Sequence, residues 1–66
     1  MKLIVDKGGS KTYEGSKGLG VITQNFGNLD KADKWSASVS VDGKYRQLAR
    51  RVNFAKAVAM IESEID

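Results

Sequence analysis

Trp35-Ser36-Ala37-Ser38-Val39-Ser40-Val41 alternates apolar and hydroxyl side chains over seven positions, and Asp42-Gly43-Lys44 follows it. Successive side chains of a strand point to opposite faces, so Trp35, Ala37, Val39 and Val41 share one side and Ser36, Ser38 and Ser40 share the other. Asp-Gly supplies the positive φ that a tight hairpin turn requires. Lys44-Tyr45-Arg46-Gln47-Leu48-Ala49-Arg50-Arg51 is then the returning strand. This run decides the fold, because it commits the chain to an antiparallel sheet with one apolar face that something must cover.

The register across the turn has two solutions. A two-residue loop sets Arg46, Leu48 and Arg50 beside Trp35, Ala37 and Val39. A turn with a glycine bulge shifts the pairing by one and sets Arg46 and Arg50 beside the serines, with Tyr45 at the core edge. Burying unpaired charge is costly, so the bulged turn is the expected one, at the expense of leaving Leu48 on the exposed face.

Downstream, Asn53 is a good helix N-cap, and Phe54, Ala57, Val58, Ile61 and Ile65 recur at the spacing of one helical stripe. That stripe is the natural cover for the Trp35/Val39 face. Glu62, Glu64 and Asp66 sit where the macrodipole disfavours negative charge, so the last turn is expected to fray. Upstream, Leu3-Ile4-Val5 and Ser10–Glu14 flank the turn signal Asp6-Lys7-Gly8-Gly9 and read as a first hairpin. Residues 15–20 read as a basic glycine-rich loop, Val21–Phe26 as a strand, and Leu29–Lys34 as a charged connection. The expected fold class is α+β: a small antiparallel sheet of three to five strands packed against one C-terminal helix. The expected organisation is a single small domain over 1–66, with 1–19 a flexible hairpin and loop and 20–66 the sheet plus helix.

Composition narrows the chemistry. The 66 residues include 11 Lys+Arg and 8 Asp+Glu, for a net charge of +3, and contain no His, Cys or Pro. Without His or Cys there is no imidazole acid–base, no thiol nucleophile and no thiolate or imidazole metal site. The acidic residues are scattered over loops and the end of the helix, and Glu62 and Glu64 are too close in sequence to share a helix face. Asn28, Asp30 and Asp33 lack the spacing of a calcium loop, and Gly15–Gly20 lacks that of a phosphate loop. The chain reads as non-enzymatic, with no cofactor and no metal. Its apolar runs fall far short of a membrane span, and Met1–Val5 breaks into Asp6-Lys7-Gly8-Gly9 before it could form a signal peptide. A cytoplasmic protein is therefore expected. So short a chain has a thin core, which makes a homodimer one way to add buried surface.

The charge is unevenly spread. Residues 1–52 carry ten basic and five acidic side chains, whereas residues 53–66 carry one basic and three acidic. A sheet backed by an acidic helix leaves its other face free to show Ser36, Ser38, Ser40, Lys44, Arg46 and Arg50. Hydroxyls and guanidinium forks contact phosphate oxygens, and Arg reads guanine edges. Lys7, Lys11 and Lys17 in the loops could follow a phosphate backbone. Tyr13, Phe26 and Tyr45 could stack on unpaired bases, while Trp35 reads first as a core anchor. The same residues equally suit an ordinary solvated strand face.

Gly20-Val21, Lys34-Trp35-Ser36-Ala37-Ser38-Val39-Ser40-Val41-Asp42-Gly43-Lys44, Leu48, Ala57 and Ile61 together resemble the three-stranded-sheet-plus-helix DNA-binding domain at the amino end of phage and transposon integrases. The Apetala-type domain of plant transcription factors is similar. The resemblance covers residues 20–65 and implies a sheet face that enters the major groove, with Ser36, Ser38, Ser40, Lys44 and Arg46 at the contacts. A strand-rich chain ending in a helix also resembles the single-strand-binding sheet domains of the transcriptional coactivator type, which dimerise. The expected partner is therefore DNA, duplex or single strand, held by Lys44, Arg46, Arg50, Ser36, Ser38, Ser40 and Lys17. The rival expectation is a small phage-type protein that binds and modulates a host protein through Leu3–Val5 or the surface around Leu48 and Tyr45.

Overall fold

A computed structural model describes residues 1–25 and 34–66. Its elements are β1 (Lys2–Asp6), β2 (Ser10–Glu14), β3 (Gly18–Gln24), β4 (Trp35–Val41), β5 (Lys44–Val52) and α1 (Phe54–Ile65). The strands form one antiparallel sheet in the order β1-β2-β3-β4-β5, each paired with its neighbour in sequence. The helix lies across β3, β4 and β5. The architecture is α+β, a five-stranded sheet with a single helix on one face. Phe26, Asn28, Asp30 and Asp33, named above for stacking or cation binding, lie outside the described residues.

The alternation in β4 sets the layers. Ala37 and Val39 are buried together with Ile22 of β3 and with Ala57, Ile61 and Ile65 of the helix. Trp35, Val41, Val52, Phe54 and Val58 pack around them, and Trp35 meets Phe54 edge-on with ring centroids 5.0 Å apart. Asn53 caps the helix as its sequence suggests, its Oδ1 accepting from the Lys56 N–H at 2.7 Å. The last turn is held rather than frayed. Ile65 is fully buried, and its carbonyl accepts the Lys17 N–H at 2.7 Å, so the β2–β3 turn clasps the end of the helix.

That clasp explains glycines that read as loop. Gly18 and Gly20 belong to β3, which begins earlier than the expected Val21. A Cβ on Gly20 would stand 3.0 Å from the Ile61 side chain, and one on Gly15 would stand 2.3 Å from the Ile65 carbonyl oxygen. Glycine serves here for close approach of helix to sheet.

The turn expectation needs correction. Val41 pairs with Lys44 across a two-residue loop, and Asp42 and Gly43 both have positive φ, 54° and 75°. This is a type I′ turn, whose twist matches that of the flanking strands. Arg46 therefore pairs with Val39 on the helix side, and Tyr45 pairs with Ser40 on the other. The charge penalty that argued against this register does not arise, because β5 is an edge strand. Arg46 remains 61% exposed and reaches Glu64 of the helix at 2.7 Å. Two bulges then reset the strand. The first inserts Leu48, which packs against the core instead of facing solvent. The second lies opposite Ser36, where Arg51 has a φ of 55°. Among the described pairings the remaining irregularity is in β1, at Ile4, so every bulge falls between an outer strand and its neighbour.

Candidate nucleic-acid interface

The face of the sheet away from α1 is built by three rows that run across the strands. The first is Ser10, Thr23 and Ser36, paired strand to strand, with Arg50 in the bulge opposite Ser36. The second is Val5, Thr12, Val21, Ser38 and Gln47. The third is Lys2, Glu14, Leu19, Ser40 and Tyr45. The interior of this face is hydroxyl-rich and carries no charge, and its charged residues stand at the margins. Ser36 is buried and donates to Asn25 Oδ1 at 2.9 Å, which fixes the top row at the start of β4. Tyr45 is the opposite extreme, 73% exposed at the lower corner.

The predicted site residues are thus divided. Ser36, Ser38, Ser40 and Arg50 share the uncovered face. Lys44 and Arg46 lie on the helix side, where with Val39, Val41 and Glu64 they line a cleft of about 240 Å³. Lys17 lies in the β2–β3 turn beside the end of the helix. Sequence reading missed Ser10, Thr12 and Thr23, which extend the hydroxyl surface over two further strands. It also missed Gln47 and placed Tyr45 at the core edge. The alternation of β2 and β3 was available as a signal, but their register against β4 was not, since the sequence between β3 and β4 carries no signal for a turn of defined length.

Charge separates by end. Because the strands alternate in direction, Asp6, Ser10, Gln24, Trp35 and Val52 mark one end of the sheet, the end at which Asn53 opens the helix. Lys7, Lys11, Lys34, Arg50, Arg51 and Lys56 gather there, against Asp6 alone among the described residues. Asp6 is itself engaged. The Lys11 ammonium at 2.8 Å and the Gly8 N–H at 2.9 Å hold its carboxyl below the ordinary carboxylate range. The positive pole of the helix dipole points the same way. At the other end Glu14, Asp42, Glu62, Glu64 and Asp66 balance Lys2, Lys17, Lys44 and Arg46.

Such an arrangement can hold an anion at one margin and present hydroxyl and aromatic contacts across a flat surface. On the uncovered face no pair of carboxylates and no nucleophile with an adjacent base comes together among the described residues. Among the described residues no helix is long and apolar enough to cross a membrane. Comparison of the chain with protein families, with curated proteins and with solved structures finds no match in any of the three.

Proposed function

We propose that this chain is a small non-enzymatic DNA-binding module that receives its ligand on the uncovered sheet face. One observation carries the reading: among the described residues, the hydroxyl-rich face left open by the helix runs to an end of the sheet that holds six basic residues and one carboxylate, the latter already bound by Lys11. Hydroxyls and basic side chains are the groups that make phosphate contacts, and those contacts supply most non-specific affinity. Arg50, Arg51, Lys34 and Lys7 take the phosphates, while Ser38 and Ser40 line the surface beneath and Ser36, buried against Asn25, supports it from within the sheet. Lys44 and Arg46, turned to the helix side, stand outside this interface.

Fluorescence anisotropy of labelled DNA tests the reading. Binding should be micromolar or tighter at about 50 mM salt and should fall steeply by about 200 mM. Absence of binding at the lower salt removes the proposal.

A second reading rests on a separate observation. β1 is an outer strand, and Leu3, Ile4 and Val5 are each more than 40% exposed. An edge with apolar side chains can accept a strand from a protein partner or from a second copy. A partner retained after nuclease treatment, and lost on Ile4→Lys, would favour this reading over the first.

A further inference from the structure

Resting on the DNA-binding reading, we infer that the ligand is a single strand with unpaired bases, with Tyr45 as the stacking platform and the Arg50 end as the phosphate clamp. Charge placement is the first ground. A sheet that reads a duplex from its groove presents Arg, Lys or amide side chains to base edges, and meets phosphates of both strands at the groove walls. Here the face has no cation in its interior, and its two ends differ. One end gathers Lys7, Lys34, Arg50 and Arg51 against Asp6 among the described residues, and at the other Lys2 and Lys44 stand beside Glu14 and Asp42 with no excess of either charge. A duplex lying in this frame would set its second row of phosphates against an end with no excess of positive charge to hold it. One phosphate track meets one basic margin and needs no second.

The aromatic is the second ground. Tyr45 stands on the uncovered face with 73% of its surface open, although a large ring in a small protein is ordinarily drawn into the core. Ser40 pairs with it on one side and with Leu19 on the other, so a small hydroxyl lies between two larger side chains. Leu19 is itself 39% exposed. A hydroxyl flanked by a ring and an aliphatic chain makes a flat apolar shelf for a base. Stacking is indifferent to sequence because every base has a π-face. Along β5 Tyr45 and Arg50 are five positions apart, one step being taken up by the Leu48 bulge. At about 3.3 Å per strand residue they lie roughly 13 Å apart, so one continuous strand can meet both.

The experiment compares labelled oligo-dT, oligo-U and a DNA duplex of equal length against the unaltered protein, Tyr45→Ala, Tyr45→Phe and Arg50→Ala. Thermal melts confirm that each variant is folded. An unpaired oligonucleotide should bind more tightly than the duplex. Tyr45→Ala should weaken it about five- to hundred-fold, and Tyr45→Phe should restore the affinity. Arg50→Ala should make the slope of log K against log salt shallower by about 0.7, the value for one phosphate contact on a single strand. The two oligonucleotides distinguish DNA from RNA as the source of the strand. Duplex bound as tightly as single strand, with Tyr45→Ala neutral, overturns the inference and leaves the DNA-binding reading standing. No binding of any probe at low salt overturns both.

Discussion

The two faces of this sheet are made by the same strands and obey different rules. On the covered face, volume is fixed to the atom. Ile22, Ala37, Val39 and Ile61 are shut away from water, and even a β-carbon on Gly20 would crowd the helix. On the other face the positions between them hold mainly serine, threonine and glutamine, most of them partly open to solvent, with Ser36 buried and bonded to Asn25. Stability therefore resides on one side and, in our proposal, recognition on the other. Substitutions can be chosen to move one without the other.

The largest effect is expected from Ile61→Ala. Removing a fully buried isoleucine from so small a core should destabilise the fold by about 2–5 kcal/mol, read from urea or thermal unfolding. In so small a domain that can exhaust the total stability. Next comes a matched pair of neighbours in β4. Ala37→Ser places a hydroxyl among apolar atoms and should cost about 1–3 kcal/mol, whereas Ser38→Ala on the open face should change stability by less than about 0.5 kcal/mol. Equal effects from the two would erase the distinction between the faces. Asn53→Ala removes the helix cap and should cost about 1 kcal/mol, with little change in DNA affinity per folded molecule.

The smallest effect concerns Asp6. Its carboxyl is held below its ordinary value near 3.8 by Lys11 and the Gly8 N–H. A depressed carboxyl stabilises the fold above the unfolded value and loses that contribution as pH falls through the folded one. Stability should therefore decline slightly more below about pH 4 in the unaltered protein than in Asp6→Asn, a difference visible in melts across that range.

How much of this was legible depended on whether local pattern or distant packing made the choice. The β4 strand and the helix were readable because alternation from Trp35 to Val41, the Asn53 cap and the Phe54–Ile65 stripe are all local signals. The Asp42-Gly43 turn was readable as a turn but not as a register. The reasoning that arginine avoids an apolar face holds for a central strand. β5 is an outer strand, and there Arg46 can lie on the helix side and still reach solvent and Glu64. Gly18 and Gly20 looked like a loop because their real constraints lie far along the chain: a β-carbon on Gly18 would meet the Ser40 carbonyl of β4, and one on Gly20 would meet Ile61 of the helix. The candidate face was half legible for a related reason. Its β4 serines were visible in one strand, whereas Ser10, Thr12 and Thr23 join them only through pairings that no local signal fixes.

The sequential order of the strands bears on how the chain reaches this state. Every strand finds its partner in the next segment of chain, so the sheet can grow hairpin by hairpin without waiting for a distant segment. The long closure is the docking of the helix end, which brings Ile65 against Lys17 of the β2–β3 turn and Asp66 within 2.9 Å of the Met1 ammonium. Loop-closure entropy places that contact late, after the strands have shortened the effective chain between its ends. Refolding should accordingly be rapid for a sheet protein, with docking of the last helical turn as its final event.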